Sequence, residues 1–396
     1  MFRMRRIRWA VALATVMSCV SCSSGGANSG SAPAGSFDRL RSMERLPVAE
    51  GDDPWEVMIC HVPVGTPDPL FEPIPDRLGS STGEVVAQLN PVSAYFERWS
   101  QGRYRPTFSV GTDVSVGEAA DGTDEACVTA ALEVSSPHVR GVLVIADAQH
   151  TATAAGGWGR PGTVCDDEPC SARDSGRAVY LGAADFMPFW EGNPPLDLVE
   201  HELGHALGWP HSSTSADDFG QGVYDSVIDV MSNSAAPRDV VTEARNGPST
   251  LAVNLYRSGW IADSDVIETN SSGTFDLAAV DSAPGAGRRL LIVDVSETSF
   301  VTVELIQSGM DNVHIGGAGV AVHTVDFSDD VCEIPPCVGT ARRQVQVRGS
   351  QRADGMLVPD DTVSELVGDV RVTVRVASIE VGSSGATTSV SVTVGA

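Results

Sequence analysis

Lysine is absent from this 396-residue sequence, so all 26 basic residues are arginine, and they stand against 52 aspartate and glutamate residues. The formal net charge is −26 at pH 7. A protein that binds a phosphate backbone or an anionic membrane surface needs an excess of positive charge on its binding face. The composition therefore argues against nucleic acid and anionic lipid as partners of the chain as a whole.

The amino terminus lacks an apolar run long enough to cross a membrane as a helix. The run from Trp9 to about Val20 falls short of the roughly 20 residues that a transmembrane helix needs. Residues 1–21 also contain four arginines and no acidic residue. A basic start followed by a short apolar run is typical of a secretory signal peptide.

Two cysteines, Cys19 and Cys22, lie at the end of this signal behind small residues. The pattern resembles a bacterial lipobox, in which the cysteine becomes the lipidated amino terminus of the mature protein. We favour Cys22, with Cys19 as the alternative and an ordinary secretory peptide as a second one. The Gly/Ser-rich stretch within residues 22–54 is then a flexible tether. We expect an extracellular or cell-surface lipoprotein of a bacterium, with the lipid as its one attachment to the membrane.

Six cysteines follow Cys22, an even number that can pair completely in an oxidising compartment. Two of the candidate pairs are close in sequence, and the third joins a predicted strand to a predicted helix. These cysteines have no further cysteine or histidine nearby at the spacing of zinc ligands, so the sequence does not predict a zinc ribbon. The predicted disulfides are Cys60–Cys127, Cys165–Cys170 and Cys332–Cys337.

A change in hydrophobic period near Asp265 predicts two domains. Before it, short apolar strands alternate with helical patterns, which indicates a mixed twisted sheet with long helices packed on it. After it, alternating valines, as over residues 370–376 and 390–394, have the period of half-buried strands. We therefore predict an α+β fold, with a mixed α/β domain over residues 55–264 and an all-β, sandwich-like domain over residues 265–396.

The individual elements follow from the same patterns. The segment 141–146 is apolar throughout and predicts a central, buried strand. Gly102 is placed to end the helix before it, and Ser249 is a candidate cap of a later helix. The predicted strands are 55–62, 103–110, 141–146, 177–182, 290–295, 300–306 and 319–325, and the predicted helices are 85–99, 125–134, 195–208 and 249–258.

Residues 201–211 match the pattern H-E-x-x-H-x-x-G-x-x-H without a gap. Four residues of helix advance about 6 Å and turn about 40° past a full circle, so His201 and His205 point from one face and can share a metal ion. Glu202 lies about 100° round the helix. That offset suits a carboxylate that takes a proton from a water rather than one that ligates the metal.

His211 would point away from the other two histidines if the helix continued. Gly208 can adopt the positive φ that ends a helix, and Pro210 discourages any continuation. The chain can therefore turn His211 back toward His201 and His205. Three neutral imidazoles with one open position describe a catalytic zinc site, whereas a fourth protein ligand would describe a structural one.

This motif resembles that of the metzincin clan of zinc endopeptidases. Metzincins carry a methionine turn beneath the zinc, and the resemblance implies this role for Met231, twenty residues after His211. Some members have a metal-binding tyrosine two residues beyond that methionine. This sequence has Asn233 there, so we do not assign the role, and we expect no replacement by Tyr224.

Segments outside the motif extend the resemblance to gametolysin-like and immune-inhibitor-A-like secreted proteases. The helix and strand around residues 90–104, the segment 255–260 and the β-rich strings over residues 303–326 carry it. The resemblance implies a metzincin-like domain and a zinc endopeptidase. In that enzyme His201, His205 and His211 ligate one Zn²⁺, and Glu202 is the general base. The implied partner is a protein or peptide substrate, bound extended along an edge strand near residues 156–163, and we expect a monomer.

Two other functions stay open. One is a non-catalytic adhesion protein with a vestigial zinc site, and the other is a zinc amidase that acts on cell-wall peptide. The intact Glu202 argues against the first. The acidic run Asp166, Asp167 and Glu168 offers oxygen ligands for Ca²⁺, but it is typical of a solvated acidic loop, so calcium has no support beyond it.

Overall fold

The computed structural model describes residues 50–63, 78–117, 123–148, 156–163, 165, 170–186, 193–214, 224–238, 245–326, 343–349, 352–383 and 385–395. The chain is mixed α/β, with several sheets and few helices. The signal peptide, most of the tether and several predicted residues lie outside the described residues: Cys19, Cys22, Cys332, Cys337, Asp166, Asp167 and Glu168.

The amino-terminal sheet has the strand order β2-β1-β4-β6-β5, with β3 paired to β1. Strands β1, β2, β4 and β6 run parallel, and β5 is antiparallel to β6 at the end of that order. All six residues of β4 are buried, which confirms the predicted central strand. The strands are β1 (Gly51–His61), β2 (Tyr104–Val110), β3 (Val114–Ser115), β4 (Gly141–Ala146), β5 (Gly157–Arg160) and β6 (Ala178–Leu181).

The first strand and the first helix both differ from the prediction. Strand β1 begins at Gly51, so the last residues assigned to the tether belong to the sheet. The single helix predicted over residues 85–99 is two helices that meet at Leu89. Pro91 lies in the first turn of the second helix, where its missing N–H costs nothing, so the chain starts a new helix there. The helices are α1 (Thr82–Gln88), α2 (Asn90–Trp99), α3 (Thr123–Val134), α4 (Ala172–Ser175), α5 (Asp197–Ala206) and α6 (Ala252–Arg257).

Disulfide-distance pairs join Cys60 to Cys127 and Cys165 to Cys170, with 5.8 Å between the Cα atoms of each pair. Both pairings confirm the prediction. The first ties β1 to α3, and the side chains of Cys60 and Cys127 are fully buried.

A buried ion pair fixes the end of α5 against the amino-terminal sheet. The Arg177 guanidinium donates to both carboxylate oxygens of Asp53 at 2.9 Å and to the Ala206 carbonyl at 3.2 Å. It also lies 4.6 Å from the centre of the Trp55 ring. Since Ala206 is the last residue of α5, this arginine satisfies a carbonyl that the helix leaves without a partner.

Two further sheets follow α5 along the chain. The second sheet has the order β7-β13-β12-β11-β10-β8, and the third has the order β14-β15-β16-β9. The predicted valine runs lie in β15 and β16 and confirm the period-two interpretation. The strands are β7 (Ser212–Ser213), β8 (Val266–Thr269), β9 (Gly273–Ala278), β10 (Leu290–Asp294), β11 (Ser299–Ile306), β12 (Gly319–Asp326), β13 (Arg343–Gln346), β14 (Thr362–Val367), β15 (Val370–Gly382) and β16 (Gly385–Gly395).

Each face of the second sheet packs into its own cluster of buried hydrophobic residues. Phe300 of β11 belongs to the same cluster as Leu203 of α5, whereas Val301 clusters with Val374 and Val390 of the third sheet. Core residues from both sides of residue 264/265 thus pack together, and the domain boundary predicted there stays a prediction. No helix within the described ranges is long and apolar enough to cross a membrane.

Candidate metal centre

Helix α5 carries the first half of the motif. Asp197 is in its first turn, where the helix dipole stabilises a negatively charged carboxylate. Its side chain accepts a hydrogen bond from Ser234 at 2.9 Å. Val199, Leu203 and Ala206 bury the apolar side of the helix in the core. The helix is shorter than the predicted 195–208, because the flanking prolines at 194–195 and the turn at residue 208 confine it.

The turn predicted at Gly208 is present. Gly208 has φ +78°, and the Trp209 N–H donates back to the Gly204 carbonyl at 2.9 Å. This closes the carboxyl end of α5 with a left-handed residue, as glycine allows. The chain then reverses through Pro210 and brings His211 to the two histidines of the helix.

The three imidazoles converge through their Nε2 atoms. The Nε2 of His205 lies 3.1 Å from that of His201 and 2.8 Å from that of His211, and the third separation is 3.1 Å. On the helix, the Nδ1 atoms are fixed by backbone carbonyls, His201 by Val230 at 2.7 Å and His205 by Trp209 at 2.8 Å. Among the described residues, these three form the one His/Cys/Asp/Glu group that could hold a metal ion.

This geometry fits a bound cation. A carbonyl can only accept, so His201 and His205 must each donate through Nδ1, and their Nε2 atoms carry lone pairs. Two lone pairs at 3.1 Å repel one another unless a positive ion lies between them. Tetrahedral zinc with nitrogens at about 2.0–2.1 Å places those nitrogens about 3.3 Å apart, close to the observed separations.

The helix-borne imidazoles are also held in the neutral form that ligates metal. Burial lowers the pKa of His201 to about 3, and the neighbouring His211 adds to the shift. Burial, followed by His211 and His201, lowers the pKa of His205 well below its usual range. Metal then has no proton to displace from these two nitrogens near neutral pH.

Glu202 follows His201 on α5, and one of its carboxylate oxygens makes no hydrogen bond to the described residues. Its side chain is buried, and its Oε2 has no hydrogen-bond partner among the described residues. Burial raises the pKa of Glu202 well above its usual range, while the Gly159 N–H, which donates to the carboxylate, opposes that rise. An unpartnered buried carboxylate oxygen is costly, and it suits an atom that receives a proton from water.

Strand β5 packs directly on α5. A Cβ placed on Gly159 would lie 1.9 Å from the Glu202 carbonyl oxygen, and one on Gly157 would lie 3.1 Å from Glu202 Cγ. Only glycine permits this approach, which brings the Gly159 N–H to the carboxylate. The edge strand predicted near residues 156–163 is therefore β5, and it runs beside Glu202.

Met231 is buried beneath the helix. A Cβ on Gly204 would come within 2.4 Å of Met231 Sδ, so the glycine of the motif makes room for the methionine. The adjacent Val230 carbonyl accepts from His201, and the Met231 carbonyl accepts from the Ser212 N–H at 3.1 Å. The turn that contains Met231 thereby contacts both the helix and the residue after His211.

Tyr224 lies closer to the histidines than the sequence suggested. Its ring centre is 4.9 Å from that of His211 and 5.9 Å from that of His201, and the side chain is 46% exposed. These contacts are between rings, so the expectation that Tyr224 does not replace the missing metal-binding tyrosine stays a prediction. The residue precedes Met231 rather than follows it, so motif spacing gave no signal for it.

Other supporting residues were also missed. Asp229 is fully buried and accepts hydrogen bonds from the Ser212 hydroxyl at 2.7 Å and the Met231 N–H at 3.1 Å. The predicted cap Ser249 is not used by α6, whose Ala252 N–H donates instead to Glu304 of β11 at 2.8 Å. An aspartate two residues before Met231 was the available sequence signal for Asp229, whereas Glu304 had none.

No protein-family model matches this chain, and no curated protein matches it.

Proposed function

We propose that the protein is a zinc-dependent endopeptidase, with a metzincin-like catalytic domain in which His201, His205 and His211 ligate one Zn²⁺. The supporting observation is the convergence of three Nε2 atoms, together with a buried Glu202 carboxylate oxygen on the same helix that has no partner among the described residues. When bound, the ion would lower the pKa of a water molecule and polarise a carbonyl group of the substrate.

The protein's own groups supply the proton transfers. The Val230 and Trp209 carbonyls keep the Nδ1 protons on His201 and His205, so both Nε2 atoms stay available as ligands. Glu202 Oε2 accepts a proton from the attacking water and passes it to the leaving amine. The Gly159 N–H orients the carboxylate from the side of β5.

Substrate binding is proposed along β5. An extended peptide can hydrogen-bond to the edge of a sheet through main-chain groups, and β5 is at the end of the strand order beside Glu202. The half-buried His211 and the exposed Tyr224 lie on the accessible side of the centre. We place this activity outside a bacterial cell, on a monomer held by the lipid anchor that the amino terminus predicts.

The test compares wild type with Glu202→Ala on an unfolded casein-type substrate and on purified cell wall. Wild type is expected to cleave casein, to lose activity with a chelator and to regain it with zinc. Glu202→Ala should lower the cleavage rate by at least about 100-fold and still bind one equivalent of zinc. Glu97→Ala, at an exposed position of α2, is the matched control and should cleave as wild type does.

Three outcomes contradict the proposal in different ways. Cleavage that persists in Glu202→Ala removes Glu202 from its role. Cleavage of cell wall but not casein favours the amidase, and zinc binding without any cleavage favours the adhesion protein with a vestigial site.

A further inference from the structure

The residue after His211 is held by a strand from far along the chain. Ser212 begins β7, and β7 pairs parallel with β13 so that Ser212 lies opposite Gln344. The strand β7 has only two residues, and such a short strand does not hold itself in place. Its position, and with it the direction of His211, therefore depends on β13.

A buried chain of side chains makes a second connection between the same two residues. The Gln344 Nε2 donates to Asn254 Oδ1 at 2.9 Å, and the Asn254 Nδ2 donates to Thr250 Oγ1 at 2.9 Å. The Thr250 hydroxyl donates to Asp229 Oδ1 at 3.0 Å, and Asp229 Oδ2 accepts from the Ser212 hydroxyl at 2.7 Å. We call Ser212, Asp229, Thr250, Asn254 and Gln344 the polar ring, because strand pairing closes it.

The polar ring is completely enclosed. No member exceeds 2% exposure. A buried amide needs a hydrogen-bond partner, because a polar group left unpaired away from water is costly. Apolar residues would pack this interface at a lower cost, whereas hydrogen bonds fix distances and directions between the segments that they join.

The ring also touches both halves of the metal centre. Asp229 accepts from the Met231 N–H, and the intervening Val230 carbonyl holds the Nδ1 of His201. Ser212 follows His211 directly. A displacement of the ring would move the acceptor of one imidazole and the backbone of another.

We propose that Gln344 is a positioning residue for the metal centre, which it sets through the polar ring from the second sheet. The inference depends on the proposed metal site but not on peptide hydrolysis. It assigns to the region after residue 264 a part in metal binding that the motif does not reveal.

Gln346 offers a matched control on the same strand. It is 3% exposed where Gln344 is 1% exposed, and its Nε2 also makes a hydrogen bond at 2.9 Å, in this case to the Asp354 carbonyl. The Oε1 atoms of both glutamines lack a partner among the described residues. Replacing either glutamine by methionine removes one amide and keeps the volume, but only Gln344 belongs to the polar ring.

The experiment measures zinc affinity by competition with a chromogenic chelator and records the visible spectrum of the Co²⁺-loaded proteins. Gln344→Met should bind zinc about tenfold more weakly than wild type, at the lower end of the loss seen for outer partners of metal ligands, and its Co²⁺ bands should shift. Gln346→Met should stay within about twofold of wild type. Melting of the zinc-free proteins checks that both variants fold.

A second variant tests whether the ring acts as a unit. Thr250→Val breaks it at another point, and the double variant with Gln344→Met should bind zinc no more weakly than the weaker single variant. Unchanged affinity in Gln344→Met, equal losses in Gln344→Met and Gln346→Met, or additive losses in the double variant would each overturn the inference. A wild-type protein that binds no zinc contradicts the proposed function itself, which that measurement reports before any variant is compared.

Discussion

His201 and His205 stand on one helix, whereas His211 follows a turn and leads directly into a strand of another sheet. We call α5 with Glu202 the helix half, and His211 with the Met231 turn the loop half. Local helix geometry sets the spacing within the helix half. The loop half takes its position from residues distant in sequence, among them Gln344 and Thr250. The comparison shows that the side chains of one short motif can be positioned in two ways, by local helix geometry and by contacts with residues distant in sequence.

The largest effect is expected for two single variants, each of which removes one proposed ligand from one half of the centre. His205→Ala and His211→Ala should each weaken zinc binding by more than about 100-fold, beyond the loss typical of outer partners, because each removes a direct ligand of the proposed site. Competition with a chelator measures this loss. Equal losses would show that the two halves, although built differently, contribute alike at the ion.

His138→Ala is the control for that pair, since His138 is exposed and is not one of the three clustered histidines. It should bind zinc as wild type does. Wild-type affinity in His211→Ala would exclude the loop half from the centre.

A smaller effect is expected on the pH dependence of the free energy of unfolding, through Glu304 of β11. Burial raises the pKa of Glu304 to about 8 from an ordinary value of 4.5, opposed by the Ala252 N–H and aided by the charge of Asp229. The folded protein then holds one proton more than the unfolded chain between these values, so the free energy of unfolding falls as pH rises through this range. Glu304→Gln should remove about 3 kcal/mol of the fall between pH 4.5 and pH 7.

Denaturant unfolding of zinc-free protein at several pH values measures this difference. Glu380→Gln, at an exposed position of β15, should keep the wild-type dependence. A Glu304→Gln variant that loses stability with pH as steeply as wild type would show that Glu304 is ionised in the folded protein.

The smallest effect lies at the contact between the halves. Gly204→Ala places a methyl group 2.4 Å from Met231 Sδ and should lower the free energy of unfolding by about 1–3 kcal/mol through overpacking. Met231→Ala opens space at the same point, so the double variant should lose less than the sum of the single variants. Strict additivity would show that the two residues do not press on each other.

Gly83→Ala is a suitable control for that series. A Cβ on Gly83 meets no atom within 4 Å, and alanine is favoured over glycine within a helix. This variant should be at least as stable as wild type.

Sequence patterns predicted the local parts of the molecule. The buried strand β4, the left-handed turn at Gly208 and the grouping of His201 with His205 each depend on a few neighbouring residues. The break at Leu89 was missed, because the apolar spacing continues through it while Pro91 imposes a new start. The ladder between β7 and β13 gave no signal either, since a two-residue strand has no period and its partner lies in a different part of the chain.

The supporting shell divides in the same way. Gly204 lies within the motif, yet its role follows only from the position of Met231. Glu304 caps α6 across a distance that no local pattern encodes, and it displaces Ser249 from the role that helix statistics predicted.

The pairing of Ser212 with Gln344 has a consequence for the order in which the molecule acquires its properties. Contacts between residues so far apart in sequence form late, because closing a long loop costs entropy before the contact repays it. Helix α5 by itself spaces only His201 and His205, and His211 needs the later pairing. We therefore expect competence to bind the proposed metal ion to be among the last properties that the polypeptide gains, after the strand that carries Gln344 has joined its sheet.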